Sequence, residues 1–119
     1  MCGIVGLISK SSTGLPYYAD DLFTEMLRID TIRGSDSTGV FGVDKLGRID
    51  LLKGDADGYT FTQSKNYERF GKQIYQQYQF VIGHNRKATK GSVSAKNAHP
   101  FKEANIVLVH NGTIINSKD

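Results

Sequence analysis

Gly3 to Ser9 is a short apolar run rich in isoleucine and valine, the pattern of a buried strand. Further on, Leu22, Phe23, Met26, Leu27 and Ile29 recur at three- and four-residue spacing behind Asp20 and Asp21. That spacing predicts a helix with the aspartates as N-cap oxygens and an end near Arg33-Gly34. Val40 to Val43 and Ile49 to Leu52 predict two strands joined across Lys45-Leu46-Gly47, a hairpin with glycine in its turn. Tyr67, Phe70, Ile74 and Tyr78 form the stripe of a second helix over Asn66 to Gln77. Phe80 to Gly83 and Ile106 to His110 are the last predicted strands. The strands are densely hydrophobic rather than cleanly alternating. The pattern therefore predicts an α+β fold in which helices cover antiparallel sheets. No repeat, low-complexity tract or linker divides the chain, so residues 1–119 are expected to form one domain.

Composition changes this picture little. With 39% hydrophobic and 23% charged residues, the chain has the profile of a globular domain, not of a disordered one. At 119 residues it can bury roughly two-thirds of its unfolded surface. The formal charge of +3 is spread along the chain. A nucleic-acid surface shows a clustered basic stripe with aromatics between, and none is present, so no nucleic-acid partner is expected. The single cysteine cannot form an internal disulfide, which points to a reducing, cytoplasmic location. Ile4 to Ile8 is far shorter than the roughly 20 residues of a membrane span. It also lacks the flanks of a signal peptide, so no membrane association is expected. Asn111-Gly112-Thr113 fits the glycosylation sequon, which needs a secretory route.

The candidate chemistry begins at Met1-Cys2. An initiator methionine before a small residue is normally trimmed, which would leave Cys2 with a free amine beside its thiol. An α-amino group titrates at about 7.7–8.0 and can take the thiol proton near neutrality. An N-terminal amine can thus replace the histidine base of a nucleophilic triad. Alone, a cysteine beside a strand is more often a small buried hydrophobe.

Other blocks surround it. Cys2-Gly3-Ile4-Val5-Gly6 is followed by Arg33-Gly34-Ser35-Asp36-Ser37-Thr38-Gly39, then by Gly83-His84-Asn85-Arg86-Lys87-Ala88-Thr89-Lys90-Gly91. Asn97-Ala98-His99-Pro100-Phe101 and Val109-His110-Asn111-Gly112-Thr113-Ile114 complete the series. Each block has a plain structural reading. Gly34 and Gly39 suit tight turns and Arg33 a helix C-terminus. Arg86 suits a surface ion pair, and Asn111-Gly112 a turn. His84, His99 and His110 are too far apart in sequence for a local metal site and only one cysteine exists, so no metal is expected.

Taken in this order, the blocks resemble the class II glutamine amidotransferases, a branch of the N-terminal-nucleophile hydrolases. Within that family the likeness is greatest to the glutaminase domain of the glucosamine-6-phosphate synthases. The resemblance implies a four-layer α/β/β/α sandwich, incomplete in this chain, which would be the N-terminal portion of a glutamine amidotransferase type 2 domain. It implies release of ammonia from L-glutamine through a thioester on Cys2, with no cofactor. Cys2 would be nucleophile and, through its own amine, general base. Arg33 and Gly34 match the pair that sits against the N-terminal cysteine, and Asn111 and Gly112 match the oxyanion hole. Arg86 matches the arginine that grips the α-carboxylate of glutamine, in keeping with the bidentate fit of guanidinium to carboxylate. Thr89 matches a nearby hydroxyl contact, and by analogy His99 lines the substrate pocket.

The chain departs from the family in two respects. Lys87 stands where the glucosamine-6-phosphate synthases carry a tryptophan that helps cover the pocket. Family domains also continue well past the Asn-Gly block, to an aspartate that binds the amino group of glutamine. The ammonia acceptor, a synthase domain or subunit, is not among these residues. These departures favour an alternative, a catalytically impaired glutamine-binding or regulatory module of the same fold. A third reading, an amidase of other amides, fits less well because Arg86 suits an α-amino acid.

Overall fold

In the computed structural model, which describes residues 2–88 and 93–112, the first apolar run becomes β1 (Gly3–Ile8). It pairs antiparallel with β4 (Tyr78–Arg86), which pairs antiparallel with β2 (Ser37–Asp44), and β2 with β3 (Ile49–Gly54). The sheet order is β1-β4-β2-β3. Within this sheet, among the described residues, only the β2–β3 pair is a hairpin. The central pairings join segments distant in the chain, and they bring the start of β1, the end of β4 and the start of β2 to one edge of the sheet.

Two helices close one face. Along α1 (Ala19–Ile29), Ala19, Phe23 and Leu27 are buried at four-residue spacing. In α3 (Lys65–Gln77) the buried stripe is Tyr67, Phe70, Gly71 and Ile74. They pack with Leu15, Phe61 of α2 (Gly58–Thr62), Val40, Tyr78 and Val81 into one core, flanked by Val5, Leu7 and Leu52. Each fully buried large side chain here contributes about 1.5–3 kcal/mol. Leu22 and Ile29 of the expected stripe lie off this seam and are exposed, because a residue adjacent to Phe23 or two beyond Leu27 points about 100–200° around the helix.

Several boundaries differ from expectation. Asp20 and Asp21 lie in the first turn of α1 and do not cap it; its N-cap position is Tyr18, without a side-chain hydrogen bond. Their negative charge still suits the positive end of the helix dipole. A 3₁₀ turn (Asp30–Arg33) prolongs α1 to the expected end. Tyr78 belongs to β4, not α3, since the backbone leaves helical values at Tyr75 and Gln76. The cap of α3 is Ser64, whose hydroxyl accepts from Tyr67 N. Strand β6 (Ile106–Leu108) pairs with β5 (Phe101–Glu103) and stops short of Val109 and His110. Neither α2 nor β5 was expected, being too short to show a period.

The opposite face of the four-stranded sheet carries Ile4, Ile8 and the edge-to-face pair Phe41–Phe80. The structure is thus a mixed α/β fold built on an antiparallel sheet, with helices on one side. Among the described residues no helix is long and apolar enough to cross a membrane.

Candidate functional site

Strand alternation decides which residues reach the site. Gly3 pairs with Asn85 and both face the helices: a Cβ on Gly3 would meet the Asp30 carboxylate, and Asn85 Nδ2 donates to Leu27 O at 3.2 Å. Their neighbours Cys2, Ile4, His84 and Arg86 therefore turn to the other face. This brings Cys2, where β1 begins, beside Arg86, where β4 ends.

Cys2 is buried at 7% exposure and is held at three atoms. Its nitrogen donates to Asn111 Oδ1 at 3.0 Å. Its carbonyl accepts from Arg33 Nε at 3.3 Å. Its sulfur accepts from Lys87 N at 3.4 Å and lies 3.8 Å from Lys87 O, within reach of a thiol hydrogen. Four expected site residues, Cys2, Arg33, Lys87 and Asn111, thus meet across 109 positions of sequence. Lys87 does so through its main chain, while its side chain is exposed.

Gly34 is needed for a close approach. A Cβ there would stand 2.6 Å from Arg86 C and Asn85 O and 2.7 Å from Lys87 N, distances that Cβ atoms do not tolerate against backbone. Two residues on, Asp36 N donates to Arg86 O at 3.0 Å and Asp36 Oδ2 accepts from Ala88 N at 2.7 Å. The 34–36 loop so grips the chain around Lys87 and aims its amide at sulfur. Asp36 was not singled out by sequence reasoning, although it lies in the Arg33–Gly39 segment. A short acidic residue just behind a glycine turn is the one signal that could have found it.

Asp30 was also missed. Its carboxyl lies against Gly3, and Oδ2 is buried without a hydrogen-bond partner among the described residues. Burial holds its pKa above the usual carboxylate range, against the opposing pull of the Arg33 guanidinium.

Three histidines adjoin the Asn111 side. His84 Nε2 lies 2.8 Å from His110 O, so that nitrogen carries the proton and donates. His110 N donates to His99 Nδ1 at 3.0 Å. The His84 and His99 rings stack with centroids 3.9 Å apart and planes 10° from parallel. Burial first, and then electrostatic opposition from the neighbouring His84, Arg86, His110 and Lys53, pushes His99 down to about 3. His84 is lowered chiefly by burial, against the favourable bond to the His110 carbonyl. Both rings are therefore neutral near pH 7.

Arg86 is buried on the site face. Gly112 has φ of +156°, and a Cβ on it would come within 3.0 Å of the His110 ring. Met1 and Thr89, to which processing and substrate contact were assigned, lie outside the described residues.

Residues 62–119 match the family model described as glutamine amidotransferases class-II. A glutamine–fructose-6-phosphate aminotransferase (isomerizing) of Thermotoga maritima is 36% identical over 129 residues, covering 100% of this chain and 18% of the relative. One of Sulfolobus acidocaldarius is 31% identical over 121 residues, with 100% and 19% covered. An amidophosphoribosyltransferase of Pasteurella multocida is 34% identical over 122 residues, with 100% and 22% covered. The chain spans about a fifth of the length of the curated relatives it matches.

Proposed function

Because the chain belongs to the class II glutamine amidotransferases, we propose that it is the N-terminal portion of a glutaminase domain that releases ammonia from L-glutamine on Cys2. The observation that carries this reading is the contact between Cys2 N and Asn111 Oδ1. It sets the nitrogen meant as base and the amide meant for the oxyanion on one residue's flank.

With Met1 removed, the Cys2 amine takes the thiol proton and sulfur attacks the side-chain carbonyl carbon of glutamine. The negative charge that builds on sulfur is met by Lys87 N–H. Because Asn111 turns its Oδ1 to Cys2 N, its Nδ2 is left to donate elsewhere. Together with Gly112 N–H it would hold the tetrahedral oxyanion, a role worth a few kcal/mol of barrier per donor in comparable enzymes. Collapse breaks the C–N bond, and the proton held by the amine leaves with ammonia. Water then cleaves the thioester to glutamate and restores the thiol. Arg33 and Gly34 keep the Cys2 carbonyl and the Lys87 segment in register. Arg86 would take the substrate α-carboxylate, with Thr89, Lys87 and His99 near it.

The ammonia is passed to an acceptor unit outside these 119 residues. The apolar face bearing Ile4, Ile8, Phe41 and Phe80 supports the four-layer sandwich, in which a second sheet covers it. A second reading, a binding module without turnover, is favoured by the exposed side chain of Lys87, which supplies no aromatic wall.

Intact mass of the purified protein, followed by labelling with a γ-diazoketone analogue of glutamine, tests the proposal. Loss of Met1 and a single adduct on Cys2, absent from Cys2→Ala and slowed in Arg86→Ala, are expected. Retention of Met1 together with measurable glutamate release would sink the amine as base. Glutamine binding without release would establish the module instead.

A further inference from the structure

Asn111 is exposed, lies beyond the last residue of β6, and belongs to no helix or strand. An exposed residue in irregular backbone has no ladder to fix it, yet its Oδ1 must meet Cys2 N and its Nδ2 must stay aimed. What precedes it is held unusually well. Both main-chain polar groups of His110 are bound to imidazole nitrogens, the carbonyl by His84 Nε2 and the N–H by His99 Nδ1. The two imidazoles stack on each other, so neither can turn without displacing its partner.

The stack itself stands on three strands. His84 is part of β4 and fully buried. His99 rests against β2 at Gly39, where any Cβ would collide with the His99 carbonyl. From β3, Lys53 Nζ donates to Ala98 O at 3.0 Å and Lys96 O at 3.3 Å, and lies 4.9 Å from the centre of the Phe101 ring, which itself packs on His99. The rigid sheet is thereby linked through two rings to the peptide that carries Asn111.

We infer that His84 and His99 are positioning residues: as a stacked pair of neutral Nε2–H imidazoles they clamp the His110 backbone and so aim the Asn111 amide at the Cys2 reaction centre. The tautomers follow from the partners. A carbonyl only accepts, so His84 carries its proton on Nε2. A backbone N–H only donates, so His99 Nδ1 is bare and its proton is on Nε2. Neither ring is required to touch substrate. The structural half of this inference is independent of the chemistry; its kinetic half rests on the glutaminase reading.

Two measurements test it. The first is glutamate release by His99→Leu and His99→Asn, and by His84→Leu and His84→Gln. The amide variants restore the acceptor near the Nδ1 position and the donor near the Nε2 position, whereas leucine restores neither. Losing the aim of one oxyanion donor is expected to lower kcat by about 10²-fold in the leucine variants with KM changed less than about threefold, and the amide variants should recover most of it. A purely structural role would lower the melting temperature of all four alike and leave the kcat of the folded fraction alone; that result overturns the inference. So does a change confined to KM, which would make His99 a substrate contact.

The second measurement is the ring ¹⁵N spectrum of the unaltered protein, which stands even if a variant fails to fold. Both rings should be neutral with protonated Nε2, and an Nδ1–H form of His99 refutes the clamp. Absence of any glutamate release by the unaltered protein would instead count against the glutaminase reading, with the tautomers still deciding the clamp.

Discussion

On one face of the four-stranded sheet, Phe23, Leu27, Ile74, Val40 and Val81 are shut off from water beneath α1 and α3. On the other, Ile8 is 75% and Ile4 46% exposed, and that same face carries Cys2, His84 and Arg86 at its far edge. One strand serves both: the alternation that sends Val5 and Leu7 of β1 under the helices sends Cys2 and Ile4 the other way. The covered face is built by side-chain volume. The site is built by hydrogen bonds, since Cys2 is gripped at its N by Asn111 Oδ1, at its carbonyl by Arg33 Nε and at its sulfur by the Lys87 amide. The two faces should therefore fail in different ways, one by losing stability and the other by losing geometry.

The largest expected effect breaks the covered face. Leu27 is fully buried and touches the core from α1, so Leu27→Ala should cost about 2–5 kcal/mol of stability in urea unfolding. Ile8→Thr, on the open face, should stay within about 0.5 kcal/mol. Glutamate release per folded molecule should be unchanged in both. Equal destabilisation by the two would mean that the open face is covered in solution.

Next is a change with almost no volume. Gly34→Ala adds one methyl group that lands on the backbone of Asn85, Arg86 and Lys87, and main chain held by β4 and Asp36 cannot swing aside. Displacing Lys87 N–H from the Cys2 sulfur is expected to lower kcat for glutamate release by about 10²-fold. Stability should suffer less than in Leu27→Ala. Wild-type kcat in Gly34→Ala would show that the approach of the 34–36 loop is dispensable.

The same division explains what was legible in the sequence. Strand β1, helix α1, the β2–β3 hairpin and α3 stand out because their apolar periods are local and face one core. The sequence pattern ends the Phe80 strand at Gly83, yet β4 runs on through His84, Asn85 and Arg86; these polar side chains are buried, His84 and Arg86 on the site face and Asn85 against α1. Helix α2 and strand β5 have five and three residues, too few for any period. Cys2, Arg33 and Asn111 were singled out by family resemblance, because a contact across 109 positions leaves no local trace. Asp30 and the His84–His99 stack lay beyond both approaches. They act through backbone and ring geometry that only the folded chain defines.

The smallest predicted effect probes the border between the two regions, where His84 and His99 are buried on the site side. Both are held below the usual histidine value of 6.5, His99 at about 3. In the unfolded chain each takes a proton as pH falls through about 6.5, while the folded chain resists to lower pH, His99 to about 3, so the unfolded state binds more protons in between. The stability these rings contribute is thus full above pH 6.5 and is lost as pH falls toward 3. Asp20 and Asp30, whose pKa values are raised, act in the opposite sense, but only near the carboxylate range. The clean window is therefore pH 7 to 5. There the melting temperature should drop by roughly 5 °C, the effect of about 1 kcal/mol on a domain of this size. His99→Phe keeps a flat ring on His84 but cannot titrate, and should flatten the slope. Lys53 and Arg86, which also face His99, are unaltered in that variant, so a slope left unchanged would assign the proton uptake to another group.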